Sequence, residues 1–377
     1  TNIALLGNDA PGTTGGRTDS IIIASINHDL RTATLLSLPR DLYVLVPGWQ
    51  MARINQALPH GNVTDYPDSG GGMFKDTVAY NFGIPVDYYL RIGFDGFKRV
   101  VDTLGGVSVA VTCKVTDWRL LEPELDPQVE ENWEMFTLDT GVHHMDGELA
   151  LWYVRSRRGS SDFDRGRRQQ QVLRAMFNRG LDLDLLTRLP EFWETYRYAV
   201  ETDLTLPVLL QLAALAPDVR ANGIQHLYLP PAAVRAWTSP GGAAVQLLQW
   251  EAAEPVLARL MQPPLLNHGT RPPITVEVVT PYEFTYRLAA ETLSWYGFAP
   301  VRGEPAGEMP GRTQVTYFGD NRKGSFDWLL SWLVEVTPEA ISFEPPGASP
   351  YDYRVILGYS YDPCRPERES PSLTGNH

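Results

Sequence analysis

Thr1-Asn-Ile-Ala-Leu-Leu-Gly7, Ser20-Ile-Ile-Ile-Ala-Ser-Ile26 and Ala33-Thr-Leu-Leu-Ser-Leu38 open the chain. Each is a short apolar or β-branched run with a turn signal behind it: Gly7 itself, Asn27-His28-Asp29, and Pro39. They read as three strands, the last two a hairpin. Further on, Phe94, Phe97, Val100, Val101 and Leu104 recur at helical spacing, and Gly105-Gly106 stops that helix ahead of a strand over residues 107–112. A helix that feeds a strand fits an α/β layer. Residues 146–153 read as a short helix. Residues 162–181 read as a longer one, with Asp162 at its N-cap and Val172, Leu173, Met176 and Phe177 as its buried stripe.

With 377 residues, the chain is long enough for two domains, and 43% hydrophobic against 20% charged residues is a globular composition rather than a disordered one. The expected organisation is a first domain over 1–262, in which 1–182 carry the motifs and 183–262 are mostly helical. A Pro-rich linker follows over 263–273, marked by Pro263-Pro264 and Pro272-Pro273, then a second domain over 274–360 and a tail over 361–377. No apolar run approaches the roughly 18 residues of a membrane span. The chain opens on strand-like sequence without Met, so an upstream anchor is compatible with it.

A net charge of −13 and the lack of a basic recognition helix argue against nucleic acid as a partner, and so against a transcriptional regulator. The charges are also segregated. Ten carboxylates face one Arg between Asp117 and Glu148, whereas eight Arg face two Asp between Leu151 and Gly180. Cys113 and Cys364 lie far apart, and two unpaired buried thiols are expected over a single bridge.

The chemistry concentrates in the first domain. Asp9, just after the first strand, and Asp19, just before the second, fall at neighbouring strand ends, where two carboxylates can share a hard divalent cation such as Mg²⁺. A turn residue and a strand-start cap account for the same spacing. Arg40 would project from that sheet edge, or pair with Asp41. In Tyr153-Val-Arg-Ser-Arg-Arg158, Arg155 and Arg157 share one side if the segment is extended; Arg165, Arg168 and Gln169 then follow helical spacing. Forked guanidiniums crowded at a helix N-terminus suit a phosphate group. No His among the seven stands where a general base is expected: His60 and His143-His144 fall in turns.

These residues resemble the LytR-CpsA-Psr family of cell-envelope glycopolymer transferases. The resemblance runs through Asn2 to Asp9, Gly16-Arg-Thr-Asp19, Ser37-Leu-Pro-Arg-Asp41, Arg53-Ile-Asn55, Val101 to Val107, Gly141 to Arg157 and Asp162 to Gln169, covering about residues 1–182 in order. It implies an α/β/α sandwich with a mainly antiparallel central sheet and an apolar cavity for a polyprenyl chain. Residues 274–360 resemble the LytR C-terminal domain, a smaller α/β domain often appended to the family. The resemblance places Asp9 and Asp19 at a Mg²⁺ site. It puts Arg40, Arg155, Arg157, Arg165 and Gln169 around a lipid-linked pyrophosphate, with Arg17, Arg53 and Arg168 as further substrate-binding residues.

The implied activity is phosphotransfer of a glycopolymer from a polyprenyl-pyrophosphate carrier to a peptidoglycan sugar hydroxyl, releasing polyprenyl phosphate. The implied location is the extracytoplasmic face of the cell membrane, reached through an N-terminal anchor. A noncatalytic polyprenyl-pyrophosphate-glycan binding protein would need the arginines but not the paired carboxylates. A carboxylate such as Asp162 is one candidate for assisting deprotonation of the acceptor. Two departures stand out. Arg53-Ile-Asn55 replaces the family's Lys-Ile-Asn, and Val278-Val-Thr-Pro-Tyr-Glu283 stands where the appended domain usually carries Asn-Gly.

Overall fold

The computed structural model describes residues 1–8, 16–122, 124–185, 189–190, 193, 200–262, 274–305, 307–319 and 325–364. Asp9, the linker 263–273 and the tail beyond 364 lie outside them. Strand β1 (Asn2–Asn8) pairs antiparallel with β2 (Thr18–Asn27), and β2 with β3 (Thr32–Ser37), as the three opening runs require. There follow a small hairpin of β4 (Tyr43–Leu45) and β5 (Met51–Arg53), helices α1 (Ala57–Asn62) and α2 (Ser69–Phe82), strand β6 (Tyr88–Ile92), helix α3 (Phe94–Thr103) and strand β7 (Val107–Val111). Next come the hairpin of β8 (Val115–Leu120) and β9 (Trp133–Leu138), β10 (Gly141–Met145), and helices α4 (Gly147–Arg155) and α5 (Asp162–Asp182). Beyond them lie β11 (Val200–Thr202), a helix Leu206–Asn222, β12 (Ile224–Tyr228), the hairpin β13 (Val234–Thr238) and β14 (Ala244–Leu248), and a helix Trp250–Leu260.

Among the described residues of 183–262, four strands stand beside the two helices, where a mostly helical remainder is expected from sequence. Val234-Arg-Ala-Trp-Thr238 and Ile224-Gln-His-Leu-Tyr228 are strands, because β-branched and aromatic residues there find pairing partners in β14 and β3. The central sheet has the order β11-β6-β1-β2-β3-β12. The β1–β2, β2–β3 and β6–β11 pairs are antiparallel, and the β1–β6 and β3–β12 pairs parallel, so the sheet is mainly antiparallel.

Both faces of this sheet are covered, which is why Ile21-Ile22-Ile23 reads as an unbroken apolar run. Ala4, Leu6, Ile21, Ile23 and Leu36 pack with Leu58, Phe74, Val78 and Leu257 into the larger core, under α1, α2 and the helix Trp250–Leu260. Ile22, Ala24 and Leu35 point the other way, toward α5, where Leu5, Leu173 and Ile224 pack against them while staying half-buried. The result is the α/β/α sandwich. Helix α4 lies close on α3 because residue 147 is Gly: a Cβ there would sit 2.6 Å from the Lys98 carbonyl oxygen. The Gly147 N–H instead donates to Asp102 at 2.7 Å.

The chain divides into two compact units. One comprises Thr1–Val107, Met145–Arg155 and Arg165–Pro264, the other Ser108–His144, Ser156–Asp164 and Leu265–His377. In the second unit, β15 (Thr275–Val279), β16 (Ala299–Gly303), β17 (Gln314–Phe318), β18 (Ser342–Glu344) and β19 (Tyr353–Ile356) form a five-stranded sheet in the order β16-β15-β19-β17-β18. Val276, Val278, Leu293, Leu330, Tyr353 and Val355 form its core with the helices Glu283–Trp295 and Ser325–Val334. Also in this unit, Cys113 and Cys364 are bridged across 251 residues of sequence, against the expectation of two unpaired thiols. The fold brings their Cα atoms to 4.5 Å, a proximity no spacing rule reveals.

Three local readings also change. Tyr153, Val154 and Arg155 are helical, not extended, because apolar Leu149, Leu151 and Trp152 carry α4 through to Arg155. Ser161 rather than Asp162 caps α5: the Ser161 N–H and hydroxyl both donate to the Asp164 carboxylate, and the Asp164 N–H donates back to the Ser161 hydroxyl. Finally, the buried side of α5 begins with polar residues. Arg167, Arg168, Gln170 and Gln171 are buried alongside Val172, whereas Leu173, Met176 and Phe177 are only half-buried.

Candidate functional site

The end of β1, the start of β2 and the end of β3 meet at one edge of the central sheet. Thr18 is buried there, its hydroxyl donating to the Asn55 carbonyl oxygen at 3.2 Å, and this ties the start of β2 to the segment after β5. The next residue, Asp19, turns outward and pairs with the Arg40 guanidinium. Arg40 Nε also lies 3.4 Å from Asp41, and Asp41 lies 3.5 Å from Arg53 Nε. Arg53 donates twice to the Ala244 carbonyl oxygen, at 3.1 and 2.6 Å, fixing β5 to β14. Charges thus alternate along the edge: Asp19, Arg40, Asp41, Arg53. All four side chains are partly exposed, so the pairs contribute little to stability, roughly 0–1 kcal/mol each. Their effect is to hold the two guanidiniums in place.

Helix α5 joins this edge through Gln169, which accepts a hydrogen bond from the Ser20 hydroxyl at 3.0 Å. Its neighbour Gln170 donates to the Ser37 hydroxyl at 2.8 Å and accepts from His226 Nδ1 at 2.7 Å. Gln171 accepts from the Tyr153 hydroxyl at 3.1 Å, and Arg168 Nε donates to the Tyr153 carbonyl oxygen at 3.0 Å. Three successive amides therefore lock α5 to β2, to β3 and to α4. Burial, reinforced by the charges of Arg174 and Arg167, holds His226 well below the usual imidazole range, so it is neutral at physiological pH.

The structure brings Asp19, Arg40 and Arg53 into one array and ties Gln169 to β2, the strand that carries Asp19, through Ser20. Arg17 is exposed just ahead of β2, and Arg165 is half-buried in the early turns of α5. Arg168 is buried, and its Nε lies against α4. Arg155, at the end of α4, is exposed with its guanidinium 4.2 Å over the Phe94 ring. Arg157 belongs to the second unit, where its backbone N–H donates to Asp117.

Two residues escaped the sequence reading. Arg91 is buried in β6, where it pairs with Glu201 at 2.8 Å and donates to the Gly16 carbonyl oxygen at 3.3 Å; the signal was an Arg inside the apolar run Tyr88–Ile92. Asp41 was read only as an alternative partner for Arg40, yet it joins Arg40 to Arg53.

Among the described residues, no group of three or more His, Cys, Asp or Glu gathers in a metal-binding arrangement. Asp19 is a partly exposed hard-oxygen donor, but its carboxylate is paired with Arg40, so a Mg²⁺ ion, which commonly takes one or two carboxylates together with water and phosphate oxygens, would share Asp19 with that guanidinium.

The LytR_cpsA_psr family model matches residues 1–257. The chain belongs to the LytR-CpsA-Psr family. Its relatives include polyisoprenyl-teichoic acid–peptidoglycan teichoic acid transferases. TagU of Bacillus licheniformis is 29% identical over 60% of this chain and 67% of its own length, and TagU of Oceanobacillus iheyensis 32% identical over 59% and 64%. TagT of Bacillus subtilis is 31% identical over 54% of this chain and 60% of its own length. The chain thus matches about two thirds of these relatives or less. Among solved structures of LytR-CpsA-Psr proteins, B. subtilis TagV superposes with a TM-score of 0.54 at 25% identity, covering 69% of this chain and 94% of TagV. TagT bound to LI-WTA superposes with a TM-score of 0.52 at 27% identity, covering 69% and 88%.

Proposed function

We propose that this LytR-CpsA-Psr protein is a phosphotransferase that moves a glycopolymer from a polyprenyl-pyrophosphate carrier to a peptidoglycan sugar hydroxyl, releasing polyprenyl phosphate. The observation that carries the reading is the Asp19–Arg40–Asp41–Arg53 array at the edge of a sheet whose α5 face keeps Leu5, Leu90, Leu173 and Ile224 half-buried. An anionic headgroup next to an apolar tail matches that pairing of a guanidinium-bearing edge with an incompletely packed apolar layer.

In this reaction the acceptor hydroxyl attacks the glycan-bearing phosphorus, its proton passing to solvent or to a carboxylate such as Asp162, and the phosphoanhydride bond breaks, leaving negative charge on the departing polyprenyl phosphate. Arg40 and Arg53 are preorganised to receive that charge, with Arg17, Arg155, Arg157 and Arg165 as further pyrophosphate partners and Gln169 orienting a phosphate oxygen. Asp19, with Asp9, would hold Mg²⁺, which when bound adds a fixed positive charge beside the phosphates. His226 is buried and neutral, so it supplies no base at the edge.

The chain is proposed to act at the extracytoplasmic face of the membrane. The Cys113–Cys364 bridge supports an oxidising compartment. The test is to incubate the protein with a polyprenyl-pyrophosphate-linked disaccharide, Mg²⁺ and a peptidoglycan fragment, and to follow polyprenyl monophosphate and the joined glycan by mass spectrometry. Formation of both by wild type, and of neither by Arg40→Ala, is expected. Tight lipid binding with no turnover under any metal would leave the noncatalytic carrier as the function.

A further inference from the structure

Next to the charged edge lies a partly exposed aromatic face that the phosphate chemistry does not use. Tyr43 and Trp237 stand with ring centroids 5.7 Å apart, tilted by 55°, and Trp237 is 40% exposed. The two rings come from different hairpins, β4–β5 and β13–β14. These are joined by a bridge between Leu42 and Gln246 and by the Gln246 N–H donating to the Asp41 carbonyl oxygen at 2.9 Å. In β4–β5, Val44 and Ala52 point into the core, so their neighbours Tyr43, Arg53, Leu45 and Met51 share the outward face. Met51 is 43% exposed. Tyr43 sits directly opposite Arg53, and the Leu45–Met51 pair lies about 7 Å further from the arginines, at about 3.3 Å per residue.

Exposing large apolar side chains together costs hydration free energy and marks a contact surface. Aromatic rings with a polar neighbourhood suit a pyranose, whose C–H faces lie on the ring while its hydroxyls reach nearby polar groups. We infer that Tyr43 and Trp237 form a sugar-binding platform for the first residues of the glycan attached to the pyrophosphate. The reading rests on the proposed pyrophosphate site. Continuity argues for this occupant: Asp19, Arg40, Asp41 and Arg53 form an unbroken chain of contacts that ends where Tyr43 begins. A sugar esterified to a pyrophosphate held by those arginines must emerge beside them. The chain's net charge of −13 weighs against an anionic bilayer as the occupant.

The test compares two ligands on the full chain by calorimetry: geranylgeranyl pyrophosphate, and the same lipid carrying N-acetylglucosamine on its pyrophosphate. Trp237→Ala should weaken the sugar-bearing ligand about tenfold, the scale of one lost stacking face, and leave the bare lipid within about twofold. Trp237→Phe should recover most of the loss. Equal weakening of both ligands, or no weakening of either, overturns the platform.

If wild type binds neither lipid, it is the pyrophosphate reading that fails. The platform is then judged alone by saturation-transfer NMR with soluble chitotetraose, where absence of a signal, or a signal unchanged in Trp237→Ala, overturns it. Phosphatidylglycerol vesicles decide the remaining alternative. Loss of vesicle co-sedimentation in Trp237→Ala, with sugar affinity intact, would make this a bilayer contact and overturn the proposal.

Discussion

The carboxylate of Asp117 accepts the backbone N–H of Arg157 at 2.7 Å and that of Arg158 at 3.2 Å. One side chain of the acidic β8–β9 hairpin therefore shapes the segment that carries a proposed pyrophosphate ligand. Burial by itself would raise the Asp117 pKa, but the N–H groups of Arg157, Arg158 and Trp118 and the charge of Arg158 hold it below the usual carboxylate value. Asp117→Ala should leave the fold intact and loosen this segment, lowering kcat/KM for the lipid-linked substrate about tenfold, as expected for losing hydrogen bonds to an ionised acceptor. Unchanged steady-state kinetics would show that Asp117 does not set the position of Arg157.

The alternating edge predicts a difference between removing a charge and changing its shape. Arg40 reaches Asp19 and Asp41 with different nitrogens, which a single ammonium cannot reproduce. Arg40→Lys should therefore recover only part of the activity lost in Arg40→Ala, with a deficit of about 1.5–3 kcal/mol in transition-state stabilisation. Wild-type kcat/KM in Arg40→Lys would show that the forked geometry of Arg40 is not used.

Asp19→Asn keeps the size of the side chain and removes its charge. It should abolish Mg²⁺-dependent turnover while changing the melting temperature little, because the Asp19–Arg40 pair is partly exposed. Retained turnover at saturating Mg²⁺ would remove Asp19 from the metal site.

The Cys113–Cys364 bridge closes a loop of about 250 residues, for which chain entropy sets an upper bound of about 5 kcal/mol. Melting with and without a thiol reductant should show the second unit losing several degrees on reduction, and the Cys113→Ser, Cys364→Ser double variant should match the reduced protein. Identical melting curves would mean that the bridge does not constrain the unfolded chain.

His226 predicts the acid side of the stability profile. Its pKa in the fold is depressed well below the 6.5 of a solvated imidazole, so the unfolded chain binds the extra proton. Its contribution is intact above about pH 6.5 and is lost as pH falls from there toward the folded pKa. Melting temperatures between pH 7.5 and 5 should fall more steeply in wild type than in His226→Gln, which has no proton to take up. Parallel slopes would assign the acid sensitivity to other groups.

Much of residues 1–182 could be read directly from the sequence. Strands β1 to β3, helix α3 running into β7, and helix α5 announce themselves through side-chain period and turn residues, signals that act within a few positions and need no partner. The crowding of arginines before Gly180 is equally local. The partners were not legible. Arg40 finds Asp19 21 residues upstream, Arg91 is buried because Glu201 reaches it from 110 residues away, and Cys113 meets Cys364 across 251. Strands β11 and β12 exist as sheet edges because β6 and β3 were already in place to receive them. Short amphipathic segments such as these take their conformation from the surface they dock on. Local preference, worth about 1 kcal/mol or less per residue, sets which elements can form, while long-range packing decides which side chains meet and so where charge is concentrated.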